Sequence, residues 1–353
     1  MEILDLSLVN FRNFASKKFT FDPKITVIIG PNGSGKTNIL EAISLLSGIR
    51  PGRIKTDLDL VKFDKSQAKI ESKVESFASL TSPPERQSEA RTLTINFQVI
   101  DEWNIKKSYM VDSFKKRSFD LSALVSIIIF EPRDLELVTG SPSLRRHHLD
   151  NLLSSVDREY HRSIIAYNKI IARRNKILQR IFEGKSKTSE LDFWDERLLT
   201  HANYISGKRE DFFEYLNFVE KGDLSWNLRQ SLLSGEKLLR NRERDIGAGA
   251  TLSGPHRDDF RFIFKTHDLE LFGSRGEMRM AVLALKLAEL EYMQVKRGMR
   301  PILALDDIFS ELDWEHREAV LSAVDKQQTI ITAAEQESLP KKILKKAKMV
   351  ELR

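Results

Sequence analysis

Residues Gly30-Pro31-Asn32-Gly33-Ser34-Gly35-Lys36-Thr37 stand between an apolar run, Ile25–Ile29, and a helical stretch over 38–46. The spacing is G-x-x-x-x-G-K-T. A buried strand before it and a helix after it restrict the chain to an α/β architecture in which a glycine loop turns from strand end into helix start. Gly30, Gly33 and Gly35 let successive backbone N–H groups converge on anionic oxygens, and the helix N-terminus adds its partial positive charge. Pro31, Asn32 and Ser34 complete the loop. Lys36 is placed to reach the β- and γ-phosphates of a nucleoside triphosphate, and Thr37 to hold Mg²⁺ through its hydroxyl. The expected ligands are therefore ATP and Mg²⁺.

A second half of such a site follows far along the chain. Pro301-Ile302-Leu303-Ala304-Leu305-Asp306-Asp307 reads as an apolar strand ending in paired carboxylates, the Walker B arrangement. Asp306 at the strand tip is expected to face Mg²⁺, and Asp307 to orient or deprotonate the attacking water. Successive residues of a strand point to opposite sides, so the two carboxylates divide these tasks. Between the halves, Phe272-Gly273-Ser274-Arg275-Gly276-Glu277 precedes a long helix. Ser274 can cap that helix, and a helix N-terminus with a serine is also an anion site. The economical arrangement is two copies face to face, each offering Ser274 and Gly276 to the γ-phosphate held by the other's Lys36. Ser310-Glu311-Leu312-Asp313 is expected at the same interface, or else as another helix start.

The 353 residues exceed the size at which single cores stop growing, so two lobes are expected. No run is long enough to span a membrane, the start lacks a signal-peptide pattern, and there are no cysteines. These features point to a cytoplasmic protein. A net charge of +6 is compatible with nucleic acid but does not by itself require it.

Alternating or apolar runs over 3–9, 17–21, 69–76, 92–100, 106–111 and 124–130 read as strands, with a polar loop at 81–87. From 143 to about 246 helical periodicity takes over with almost no strand signal. Strands at 259–264, 302–305 and 329–332 and helices at 275–295 and 316–323 return the chain to α/β. The expected domains are 1–140, a helical arm over 141–246, and 247–353, the first and last forming one discontinuous head. Wound at about 100° per residue, Arg158, Arg162, Lys169, Arg173, Lys176 and Arg180 share one face of the arm. Ile164, Tyr167, Ile171, Leu178 and Phe182 share the opposite face, which should bury against the helix around 191–216. The basic face is a candidate contact for DNA phosphates, or an ordinary solvated face.

With phosphate loop, signature and Walker B in this order, the chain resembles the ABC-type ATPases, and within them the SMC/RecF group. Four segments narrow the resemblance to the RecF family of bacterial recombination-repair proteins: Asn10-Phe11-Arg12-Asn13-Phe14, Phe130-Glu131-Pro132-Arg133-Asp134-Leu135, the run from Gly140 to Asp150, and Leu252-Ser253-Gly254-Pro255-His256-Arg257-Asp258-Asp259. The resemblance implies an ABC-type P-loop ATPase head of α/β class, with a mixed sheet, antiparallel strands and an inserted α-helical arm lobe. It also implies a weak DNA-dependent ATPase that dimerises head to head on ATP. Such a dimer binds gapped and double-stranded DNA and single-strand/double-strand junctions, and helps RecO- and RecR-type mediators load RecA in repair, replication restart and the SOS response. It places Arg12 near the nucleotide and makes Ser274, Gly276 and Glu277 the signature. Three residues depart from the family pattern: Glu131 for a small polar residue, Arg133 for an acidic one, and Glu277 for a glutamine. The ATPase subunit of a membrane transporter is the competing reading, and it normally carries a histidine after the 329–332 strand, which this chain lacks.

The 254–259 segment has no self-evident chemistry, and stands as a loop near the dimer face or a turn into the following strand.

Overall fold

The computed structural model describes residues 1–51, 54, 56–76, 89–219, 222–310, 312 and 314–352, with only the backbone at 76, 89 and 314–316. The expected loop over 81–87, and Glu311 and Asp313, lie outside the described residues. The chain divides into two compact units, Met1–Asp134 with Leu283–Arg353, and Leu135–Val282.

The first unit holds two sheets. One is an antiparallel sheet of seven strands among the described residues: β1 (Glu2–Ile3), β2 (Asp5–Phe11), β3 (Phe14–Thr20), β5 (Gln67–Ser76), β6 (Glu89–Val99), β7 (Ile105–Val111) and β8 (Phe114–Lys116). Its main order is β3-β2-β5-β6-β7-β8, with β1 pairing β5. The second sheet is parallel, in the order β15 (Lys348–Glu351), β4 (Ile25–Ile29), β14 (Thr329–Ala333), β13 (Ile302–Asp306) and β9 (Ile127–Phe130). Strands β13 and β14 are buried along their whole length, because a parallel sheet is covered on both faces. That is why they read as continuous apolar runs.

Helix α1 (Lys36–Leu46) packs against both sheets. Ile39, Leu40, Ile43 and Leu46 recur at helical spacing and are buried, joining Leu6, Leu8, Ile70 and Ile95 of the antiparallel sheet and Ile28 and Ala304 of the parallel one in a single core.

The second unit carries α2 (Pro142–Val156), α3 (Arg158–Phe182) and α4 (Glu190–Phe218), with α3 and α4 packed side by side as the periodicity predicts. It also contains a small antiparallel sheet, β10 (Leu224–Arg229), β11 (Asp259–Phe264) and β12 (His267–Asp268). Strand β10 lies inside the stretch expected to carry almost no strand signal, with Leu224 and Trp226 alternating inward. Its pairing with β11 carries this unit past the expected boundary at 246 to Val282. Helix α5 (Arg275–Arg297) begins in the second unit and ends in the first. Helix α6 (Trp314–Val324) and a short α7 (Lys341–Leu344) complete the first unit. Among the described residues no helix is long and apolar enough to cross a membrane.

Candidate nucleotide site

Strand β4 ends at Ile29, and the loop that follows reaches α1 through Gly35 at φ 102°, a left-handed conformation that a side chain rarely adopts. A Cβ at Gly35 would also stand 2.7 Å from the Asn13 amide and from the Phe14 ring, so only glycine fits. Asn13 donates to the Ser34 carbonyl at 3.1 Å and accepts from the Asn38 amide at 2.9 Å. The loop is thus braced from the β2–β3 turn. Neither Asn13 nor Asn38 was singled out by the motif.

A cavity of about 280 Å³ opens over this loop, lined by Asn32, Gly33, Gly35, Lys36, Thr37, Asn38, Pro132, Asp306 and Asp307. Phosphate loop and Walker B, far apart in sequence, meet here as expected. Lys36 is buried, and its Nζ donates to the Gly30 carbonyl at 2.5 Å and the Pro31 carbonyl at 3.1 Å. Thr37 Oγ1 donates to Asp306 Oδ2 at 2.9 Å. Asp306 is buried, and its Oδ1 accepts from Thr332 Oγ1 on the neighbouring strand at 2.7 Å, which fixes the carboxylate plane. Asp307 turns out of the strand at φ 54°, its N–H held by the Thr332 carbonyl and hydroxyl, both at 3.1 Å. Both carboxylate residues line the cavity, Asp306 from the strand and Asp307 from the turn after it, where strand alternation no longer applies. Thr332 was missed because threonine in an apolar strand is unremarkable by pattern.

The donors fit an anionic ligand. The Ser34 hydroxyl is buried without a hydrogen-bond partner among the described residues. Among the described residues Lys36 donates only to carbonyl oxygens, and 30–38 contains no acidic residue. Thr37 Oγ1 and Asp306 Oδ2 form a pair of hard oxygen donors at one end of the cavity, suited to Mg²⁺.

Arg12 lies in the β2–β3 turn beside Asn13. Its Nε donates to Glu41 of α1 and its Nη1 to the Asp59 carbonyl, both at 2.9 Å, and it does not line the cavity. Its guanidinium ties the β2–β3 turn to α1. Pro132 forms part of the cavity wall, and Asp134 just beyond it accepts from Glu131 N–H at 2.8 Å and pairs with Lys286 at 3.1 Å. Burial alone would lower the Lys286 pKa, but Asp134 and Glu289 carry it above the ordinary lysine value.

Ser274, Gly276 and Glu277 belong to the second unit, at the start of α5. Ser274 N–H and Oγ both donate to the Glu277 carboxylate at 2.8 Å, and the Glu277 N–H returns to Ser274 Oγ at 3.3 Å. This is a capping box. The two hydrogen bonds hold the Glu277 carboxyl below its usual range.

On α3, Arg158, Arg162, Lys169, Arg173, Lys176 and Arg180 are all exposed. Tyr167 and Leu178 are buried and Ile164 and Ile171 half-buried, but Phe182, the last residue of the helix, is 69% exposed. Arg174, next to the stripe, points inward to Asp195 and Asp245, each at 2.7 Å.

The two segments of the second unit that carried the resemblance bind one another. Arg145 forms a bidentate pair with Asp259 at 2.6 and 3.1 Å, and Arg146 donates to the Asp258 carbonyl at 2.8 Å. Arg209 of α4, 1% exposed, donates to Asp150, Asp258 and the Pro255 carbonyl, each at 2.7 Å, and to Tyr160 Oη at 3.1 Å. Burial alone would lower its pKa, but Tyr160, Asp150 and Asp258 raise it above the ordinary value. Gly254, at φ 128°, lets Tyr167 Oη approach to where a Cβ would stand 2.3 Å away.

Residues 2–351 match the model of the RecF/RecN/SMC N terminal domain. The chain is 34% identical to the DNA replication and repair protein RecF of Moorella thermoacetica, over 100% of this chain and 95% of that protein. It is 32% identical to the protein of the same name from Clostridium botulinum strain ATCC 19397, over 98% and 96%. Among solved structures it is similar to the recombination mediator protein RecF-ATP in the RecFOR pathway, at TM-score 0.84 and 28% identity over 96% of this chain and 93% of that one. The fold alone is shared with the Smc head domain of Pyrococcus furiosus, at TM-score 0.52 and 15% identity over 99% and 94%.

Proposed function

Because the chain belongs to the RecF family, within the RecF/RecN/SMC group of ABC-type ATPases, we propose that it is an ATP-dependent DNA-binding protein of recombinational repair and replication restart. One observation carries the reading: Thr37 and Asp306, 269 residues apart, meet at 2.9 Å beside Lys36 in one cavity. Lys36 leaves the Gly30 and Pro31 carbonyls for the β- and γ-phosphates of ATP, and the loop N–H groups and Ser34 hydroxyl take further phosphate oxygens. Thr37 and Asp306 would hold Mg²⁺, which when bound would offset the negative charge that develops on phosphoryl transfer. Asp307, turned out of the strand, orients the attacking water.

Ser274, Gly276 and Glu277 of a second copy close on the γ-phosphate, so ATP drives a homodimer and hydrolysis is a slow, DNA-dependent release step. The exposed cations of α3 grip duplex phosphates without reading sequence. In the cytoplasm the dimer recognises gapped DNA and single-strand/double-strand junctions, and works with RecO- and RecR-type mediators to load RecA.

The test measures oligomeric state by light scattering, and gapped-duplex binding, each with and without ATP and Mg²⁺. The wild type should dimerise and bind DNA with ATP, and Lys36→Arg should do neither. Reversing Arg173 and Lys176 to glutamate should leave dimerisation intact and lower the slope of log affinity against log salt by about 2. Dimerisation indifferent to nucleotide would sink the reading.

A further inference from the structure

The last part of the first unit carries a run of lysines, three of which its fold does not use. Lys341, Lys342, Lys345, Lys346 and Lys348 fall within eight residues, and no acidic residue lies between Ser338 and Val350. All five are exposed. What fixes this segment is apolar or backbone: Ile343 is buried at 1%, and the i→i−4 bonds from Lys345 and Ala347 N–H prolong the turn of α7. Lys346 pairs with Asp325 at 3.0 Å, and Lys348 Nζ donates to Thr20 of β3 at 2.6 Å. The side chains of Lys341, Lys342 and Lys345 make no hydrogen bond or ion pair among the described residues.

A local rule is broken here. Lys345 N–H closes a turn on the Lys341 carbonyl, so these two lysines stand one turn apart and like charges repel along the segment. The Thr20 contact joins this cluster to β3, whose Lys17 is also exposed. Protection of sheet edges accounts for lysines on β3 and β15, which are both edge strands. It does not account for those on α7. A surface that breaks a local rule without a compensating contact inside the protein is the mark of a functional one.

We infer that the α7–β15 lysines are a second phosphate-backbone contact, on the ATPase unit itself, and that the occupant is duplex nucleic acid. The inference rests on the proposal that the chain works on DNA, and adds a place for it that the α3 stripe does not supply. Charge selects a polyanion. The absence of arginine and of any aromatic residue from 340–350 selects among polyanions: no guanidinium fork is there to read a base edge, and no ring to stack an unpaired base. Lysine as a flexible point charge suits regularly spaced phosphates whatever the sequence.

The experiment is fluorescence anisotropy with a random-sequence duplex and a single strand of the same length, across a salt series, with ATP and Mg²⁺ present. Lys341→Glu/Lys342→Glu/Lys345→Glu should bind the duplex at least about tenfold more weakly at low salt, with the salt slope reduced by about 3, close to one for each lost phosphate contact. The corresponding arginine triple variant should keep both. Melting temperature and basal ATP hydrolysis should match wild type, and Lys345→Gln alone, the mildest change, should lower the slope by about 1. Unchanged duplex affinity and slope in the glutamate variant, or a greater loss for single strand than for duplex, would overturn the inference. If the Arg173/Lys176 reversal abolishes duplex binding while the α7 variant retains it, this inference falls and the parent proposal stands. If the wild type binds no duplex with nucleotide present, both fall.

Discussion

The phosphate loop of the first unit and the 254–259 segment of the second are alike on paper: short, opening on Gly-Pro, and placed where an element begins. They spend their polar groups in opposite ways. Around the loop, Lys36 rests on two backbone carbonyls, the Ser34 hydroxyl has no partner among the described residues, and Asp306 and Thr37 present oxygens to an open cavity. In the second unit every nitrogen of the Arg209 guanidinium is committed, to Asp150, Asp258, the Pro255 carbonyl and Tyr160. Convergent donors left under-used are what a ligand site requires. Donors saturated from within hold a scaffold, because any one removed strands a buried charge.

The contrast can be broken by mutation, and the second unit offers the larger effect. Arg209→Ala leaves Asp258, 1% exposed, and the partly buried Asp150 without their cation. Loss of one partner of a buried pair costs about 3–5 kcal/mol. Urea denaturation should show that loss, while nucleotide affinity persists wherever the protein remains folded. Lys36→Ala should do the reverse. Losing a charge-assisted contact to phosphate costs about 1.5–3 kcal/mol of binding, roughly ten- to a hundredfold in affinity by calorimetry. Its melting temperature should scarcely move, since only two loop carbonyls lose a donor. A Lys36→Ala protein that melts early, or an Arg209→Ala protein as stable as wild type, would erase the distinction.

The same contrast explains what could be read before the coordinates. The phosphate loop and Asp306-Asp307 were legible because their spacing is dictated by a ligand's geometry, which every such site shares. The buried strands were legible because a parallel sheet covered on both faces demands unbroken apolar runs. Thr332 was not legible, because its hydroxyl acts through a pairing register, β13 on β14, that no local pattern encodes. Arg174 and Arg173 are neighbours of one type on one helix, yet the first is buried on Asp195 and Asp245 and the second is exposed. Periodicity gives the angle between them but not where carboxylates from 21 and 71 residues away will arrive. Strand β10 was missed for a related reason. Six residues of alternation are a weak signal beside helices of 25 and 29, and β10 is held by β11, whose paired residues lie 30 to 40 positions on.

The smallest effect sharpens the contrast through pH. His256 Nε2 lies 2.9 Å from the Thr251 carbonyl, which can only accept, so that nitrogen carries the proton and Nδ1 accepts from Tyr167 Oη at 2.7 Å. Burial, opposed by the Thr251 carbonyl and reinforced by Arg257 and Arg146, holds the imidazole below its usual value of 6.5. The native state therefore binds fewer protons than the unfolded chain in the window beneath 6.5, and stability rises with pH across it. The contribution is present above that value and fades as pH falls toward the folded-state pKa. His256→Gln removes the titrating group while keeping a polar side chain. The denaturation midpoint of the wild type should exceed that of His256→Gln near neutrality, and the two should converge as pH is lowered from about 7.5 to about 5. A gap that stays constant would mean that His256 does not titrate in this range. A gap that widens would mean it gains a proton-dependent partner, and the 254–259 segment would then belong with the phosphate loop as a site with something left to bind.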